Sequence, residues 1–137
     1  MKIEDFKKLK LKVENDLLVD ETNAAEKSLN FSRLYSKYVS LYMQELRILK
    51  NLSAEKDKIY GELYHKFKFK SDYQLDSNKE IDVYVKADDK YYNKCLDFQN
   101  QEIIVSYLEM TLQNITNTGY RIKNFIELLK LKMGLHS

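Results

Sequence analysis

Proline is absent and only three glycines occur, Gly61, Gly119 and Gly134. Sandwiches and barrels turn often and use these residues at their turns, so the scarcity points to few connections and long helices. The single cysteine, Cys95, excludes an internal disulfide framework and a cysteine-based zinc site. A lone thiol of this kind is expected as a small buried hydrophobe. Only two histidines exist, His65 and His136, with no His-x-x-x-His spacing, and no metal site is expected from them. No Gly-rich phosphate loop is present, and no Ser or Cys has a nucleophile-elbow context, so no catalytic residue and no cofactor is expected. The acids Asp76, Glu80, Asp82, Asp88 and Asp89 read as caps and solvated charges rather than Mg²⁺ ligands. The N-terminus has charges but no apolar stretch, and no run approaches the ~18 apolar residues of a membrane span. An intracellular protein is therefore expected, in which the sequons at Asn30, Asn51 and Asn114 carry no meaning.

What is present suits a helical domain. The chain has 137 residues, of which 44% are hydrophobic and 32% charged, enough for one core and a solvated surface. The net charge of +2 is unevenly placed. Residues 1–12 balance to +3, 13–30 to −4, 56–70 to +3, 71–102 to −4 and 121–132 to +3. Alternating blocks suit local binding patches or subunit contacts better than a uniformly basic body.

Residues 1–19 form a short helix or an arm. Thr22 or Asn23 can cap the next helix, whose pattern continues to about Tyr64. One seam in it is heptad-like: Leu34, Tyr38, Leu41, Glu45, Ile48, Leu52, Glu55 and Ile59. A second row, Tyr35, Tyr42, Leu46, Leu49, Tyr60 and Leu63, makes the stripe too wide for a two-stranded coil. A helix from 22 to 64 would be about 64 Å long. A compact chain of this size has a diameter below ~40 Å, so either the helix breaks near Asn51 and Ser53 or other subunits cover it. An oligomer is the expected solution. Lys66-Phe67-Lys68-Phe69-Lys70 and Ile81-Asp82-Val83-Tyr84-Val85 alternate with period two, which suits a small β-hairpin near 66–86; the other reading is a frayed helix and a loop. Asp88 can cap a helix that runs to about Asn117, with Gly119 as its C-cap. A last helix then carries Ile122, Phe125, Ile126, Leu129 and Met133 on one face and ends at Gly134. The fold class is thus mostly α: a long central helix plus C-terminal helices.

The constellation with the most chemistry lies at 56–70: Lys56, Lys58, Tyr60, Tyr64, His65, Lys66, Phe67, Lys68, Phe69 and Lys70. If 66–70 is extended, its three Lys share one face at intervals of about 6.6 Å and can track the phosphates of a stretched single strand. Aromatic faces stack on bases for about 1–3 kcal/mol each, whatever the sequence. Lysine with aromatics is the composition of non-specific single-strand binding; a solvated basic edge over core aromatics is the competing reading. The basic C-terminal helix, with Arg121, Lys123, Lys130 and Lys132, is a second candidate patch.

Short motifs run through the chain in a recognisable order: Ile3-Glu4-Asp5, Asp20-Glu21-Thr22, Asn23-Ala24-Ala25, Leu34-Tyr35-Ser36-Lys37-Tyr38, Glu45-Leu46-Arg47, Ala87-Asp88-Asp89-Lys90 and Gly119-Tyr120-Arg121-Ile122-Lys123-Asn124. With this length and order the sequence resembles the UvsY family of recombination mediator proteins from T-even-type bacteriophages. The resemblance implies one domain over 1–137, with a helical arm and DNA-contact segment at about 1–70 and a helical pair for assembly at about 87–134. It implies a ring-like homo-oligomer that binds single-stranded DNA in recombination, repair and replication. Such a protein helps load the phage recombinase onto DNA covered by the phage single-strand-binding protein, in the cytoplasm of the infected bacterial host. It assigns DNA contact to the segment with Lys56 and Lys58, and assembly to Ile122, Phe125, Ile126 and Leu129. The expected DNA-binding set is Lys56, Lys58, Tyr64, His65, Lys66, Lys68 and Lys70. A helical scaffold that binds only protein partners is the runner-up.

Overall fold

The computed structural model describes residues 1–19, 23–69 and 77–134. These form four helices: α1 (Ile3–Asp16), α2 (Ala24–Phe69), α3 (Asn78–Ala87) and α4 (Asp89–Lys132). No strand occurs among the described residues. The chain divides into two compact units, one of Met1–Gln44 with Ser106–Ser137 and one of Glu45–Val105.

In the first unit α1 lies against α2 and α4. Val13, Tyr38, Leu108, Ile115 and Ile122 are buried there. Tyr38 is fully enclosed, and its hydroxyl donates to Asp16 Oδ2 at 2.7 Å. Burial, then this bond, raises the Tyr38 pKa and keeps the phenol protonated as a donor. Lys27 Nζ donates to the Asp16 carbonyl at 3.1 Å, placing a cation on the C-terminal end of α1. The buried hydroxyls of Thr111 and Thr118 donate to the carbonyls four residues earlier, Tyr107 and Asn114, so they enter the core satisfied.

In the second unit Ile59 and Leu63 of α2 pack on Ile81 and Val85 of α3, with Tyr60, Tyr64, Phe67 and Tyr91 around them. Gln101 donates from Nε2 to the Glu45 carbonyl at 2.9 Å, which satisfies a buried amide.

The expected heptad seam is the face that α2 buries. Tyr38, Glu45 and Ile59 are buried and Leu34, Leu41, Ile48 and Leu52 half-buried; Glu55 is exposed. Asp88 Oδ1 accepts from the Lys90 amide at 2.9 Å and Gly134 has φ of +69° after the end of α4, so the expected N-cap and the expected helix end both hold.

One alternative is excluded and two expectations need correction. The helix does not break at Asn51 or Ser53, because α2 continues through both to Phe69. The hairpin is replaced by helix wherever its residues are described. Ile81 and Val85 satisfy period two and helical i, i+4 spacing alike; Val83 separates the two, and it is 60% exposed while they are buried. Ser77 then caps α3 by accepting from the Glu80 amide at 3.1 Å. Finally, the C-terminal helical pair is one helix, since α4 passes through Gly119 without interruption. A Cβ at Gly119 would lie 2.6 Å from Cζ of Phe31 on α2. Glycine is there for close approach of a ring, not for a left-handed cap.

A Cβ at Gly61 would meet nothing within 4 Å, so the two helical glycines should respond oppositely to alanine. Gly61→Ala should stabilise by up to about 1 kcal/mol through helix propensity. Gly119→Ala should destabilise, because overpacking of about 1–3 kcal/mol outweighs that gain. Thermal unfolding midpoints of the two variants against the parent check the signs.

Candidate nucleic-acid interface

From residue 45 onward α2 belongs to the second unit. Successive side chains there turn by about 100°, so one face meets α3 and α4 and the opposite face meets solvent.

The inner face takes two residues of the expected DNA-binding set, Lys56 and Tyr64. Lys56 is half-buried with its ammonium 4.4 Å from the Phe98 ring centroid, an intramolecular cation–π contact. Tyr64 donates to Asn78 Oδ1 at 2.6 Å and stacks on Tyr60 with centroids 6.1 Å apart. Phe67 lies 5.9 Å from Tyr84. The Tyr64 and Phe67 contacts fasten α3 to α2, and the Lys56 contact fastens α2 to α4. Tyr60 completes the fastening, donating to Asp82 Oδ1 at 2.5 Å, while Lys86 pairs with Asp82 Oδ2 at 3.1 Å. The bond to Asp82 is the main cause that pushes the Tyr60 phenol up to about 12. The same bond, then Lys86, holds the Asp82 carboxyl below the usual carboxylate range.

The outer face carries Arg47, Lys50, Lys58, His65 and Lys68, all exposed. Asn51, Ala54 and Gly61 fall on it at three-and-four spacing, and the exposed Asp57 and Glu62 stand at its two edges. From Arg47 to Lys68 the stripe runs about 32 Å. Glu55, beside it, is paired with Lys94 at 2.9 Å, and that bond raises the Lys94 pKa. Phe69 closes the stripe, 67% exposed, with its ring 4.9 Å from that of His65.

The expected set is therefore split. Lys58, His65 and Lys68 share the open face, whereas Lys56 and Tyr64 are engaged within the chain. Lys66 is exposed but lies about 200° around the helix from Lys68, because the segment is helical and not extended. Lys70 lies outside the described residues. Arg47 and Lys50 join the face without having been expected on it, as does Phe69, which was part of the constellation at 56–70 but not of the DNA-binding set. Counting back and forward from Lys58 in steps of three and four would have found them.

Of the residues expected to serve assembly, Ile122 is 4% exposed and already spent on the core of the first unit. Phe125, Ile126 and Leu129 are half-buried. An open groove of about 520 Å³ runs beside Phe31, Tyr120 and Ile126, edged by Lys123, Glu127 and Lys130. Tyr120, Leu128, Leu131 and Met133 are the large apolar side chains that α4 and its end leave exposed here. Glu62 and His65 do make one Glu-x-x-His spacing, but no group of three metal-ligating side chains exists among the described residues. No helix among them is long and apolar enough to cross a membrane.

Among the described residues, four helices with a mainly cationic solvent-facing side on α2 define an all-helical protein whose surface suits a polyanion. The chain matches the family described as "Recombination, repair and ssDNA binding protein UvsY" over residues 12–135, and it belongs to that family. Three crystal forms of the bacteriophage T4 recombination mediator protein UvsY share the fold. Lattice type IV aligns with a TM-score of 0.83 at 19% identity, over 96% of this chain and 99% of that one. Type II gives 0.80 at 19% identity over 97% and 98%, and type I gives 0.78 at 18% over 91% and 98%. No curated protein matches the chain by sequence.

The Tyr60–Asp82 bond sets a pH window for the attachment of α3. Asp82 is lowered in the folded chain, so its contribution is complete above the ordinary carboxylate pKa of about 3.9 and is lost as pH falls through the lowered value. Tyr60 is raised, so its contribution is complete below about 10 and is lost as pH climbs through its raised value. The unfolding-midpoint difference between the parent and Tyr60→Phe should be flat through neutral pH and shrink at both extremes.

Proposed function

We propose that this chain is a recombination mediator that binds single-stranded DNA without sequence preference along the outer face of α2. The observation that carries the reading is the uncovered Arg47–Lys68 stripe in a chain of this family. Cations spaced along a helix, with the small neutral Asn51, Ala54 and Gly61 among them, attract phosphates at several points even with Asp57 and Glu62 at the edges. They present no bidentate pair aimed at a base edge, which suits backbone tracking over sequence readout. In this reading the chain acts with a phage recombinase and a phage single-strand-binding protein in the cytoplasm of an infected bacterium. It wraps the strand, weakens the covering protein's hold and presents a stretch on which the recombinase filament nucleates.

The chain assembles into a ring-like homo-oligomer in the same reading. Each subunit offers a modest patch, and a ring repeats it, so linked sites raise avidity without any strong single one. The half-buried Phe125, Ile126 and Leu129 and the exposed Leu128 and Leu131 of α4 supply apolar surface for the contact.

Anisotropy titration of a labelled single strand at several salt concentrations tests the DNA reading. With three to five phosphate contacts per subunit, log affinity should fall against log salt with a slope of about −2 to −3.5. Combining Arg47→Ala, Lys58→Ala and Lys68→Ala should flatten it by about 2. Absence of binding at low salt would sink the reading and leave a protein-only scaffold. For the assembly, light scattering should give a multiple of the 16.4 kDa chain mass, and Leu128→Asp with Leu131→Asp should lower it. A monomer mass for the parent at micromolar concentration rules out the ring.

A further inference from the structure

Phe69 stands where the cationic stripe of α2 ends, 67% exposed. Single exposed apolar side chains are ordinary on protein surfaces, so exposure alone means little. Three features set this one apart. Its ring is tilted against that of His65, four residues back, with centroids 4.9 Å apart and planes at 51°. The Lys68 ammonium lies 5.3 Å from its centroid, so a cation flanks the ring directly. And the pair lies on the same helix face as Lys58, on the seam that continues back to Arg47. The other aromatics of this region, Tyr60, Tyr64 and Phe67, face α3 and are packed or hydrogen-bonded within the chain.

We propose that Phe69, beside His65, is a base-stacking site that takes one unstacked nucleobase of a single strand whose phosphates lie along Lys58 and Lys68. The inference rests on the single-strand reading above and adds a contact to the bases. The geometry limits how the base binds. A base sandwiched between two rings needs their centroids about 7 Å apart, twice the ~3.4 Å rise of stacked bases. At 4.9 Å the two rings are already in contact, so no base fits between them and the base lies against the solvent-exposed surface of Phe69. Every base has a flat face, so the site discriminates stacked from missing bases and single from double strands, not one sequence from another.

The chain contains no tryptophan, which makes Phe69→Trp a unique fluorophore at the site. The probes are a labelled oligothymidylate and an abasic strand of equal length and charge. The parent protein should bind oligothymidylate at least about five-fold more tightly than the abasic strand. Phe69→Ala should erase that preference, bringing oligothymidylate affinity down to that of the abasic strand. Emission of the Phe69→Trp protein should be quenched by oligothymidylate and not by the abasic strand at equal saturation. Equal binding of both strands by the parent, or unquenched emission at saturation, overturns the stacking site while leaving phosphate-driven binding intact. If neither strand binds, the single-strand reading falls and the stacking site with it.

Discussion

Ile59 and Leu63 of α2 and Ile81 and Val85 of α3 bury one another, and the character of the second unit follows from that contact. Each side chain removed from water contributes about 1.5–3 kcal/mol, so the cluster dictates which face of α2 turns inward. Once those residues point inward, helical geometry leaves no freedom to the rest. Lys56, Tyr60, Tyr64 and Phe67 follow them to the inner side, and Arg47, Lys58, His65 and Lys68 go to the outer side. The candidate interface is thus the complement of a hydrophobic contact. The polar bonds at its edge, Tyr60 to Asp82 and Tyr64 to Asn78, hold α3 in register without covering the cationic side.

The first unit uses a different device. Gly119 lets the Phe31 ring come within a distance that no Cβ would allow, so α2 and α4 meet there through a ring set against bare backbone. Around it, buried polar groups are satisfied locally. Tyr38 reaches Asp16, while Thr111 and Thr118 bond back into their own helix. Such bonds permit polar residues in the core without the penalty of an unpaired donor.

Much of the fold was legible in one dimension. The seam from Leu34 to Ile59 named the buried face of α2, and Asp88 and Gly134 marked the limits of α4. What misled was ambiguity of period and of glycine. Ile81 and Val85 recur at an interval that strand and helix share, and only the exposure of Val83 decides between them. Gly119 follows an asparagine-rich stretch and looks like a stop, yet its role is set by a phenylalanine more than eighty residues away in sequence. The candidate site was legible as a segment and not as a surface. The alternation of lysine and aromatic at 66–70 suggested an extended ladder, whereas the helix sends Lys66 and Lys68 to different sides and brings His65 beside Phe69.

The amino-acid sequence by itself determined the helical class, the buried seam of the central helix and the region where positive charge gathers. These depend on the near absence of turn-forming residues, on hydrophobic periodicity and on composition, all of which are local. Tertiary structure alone decided which lysines are open to a ligand and which are spent inside the chain. That choice depends on α3 packing against one side of α2, a contact between segments whose pairing no local pattern specifies.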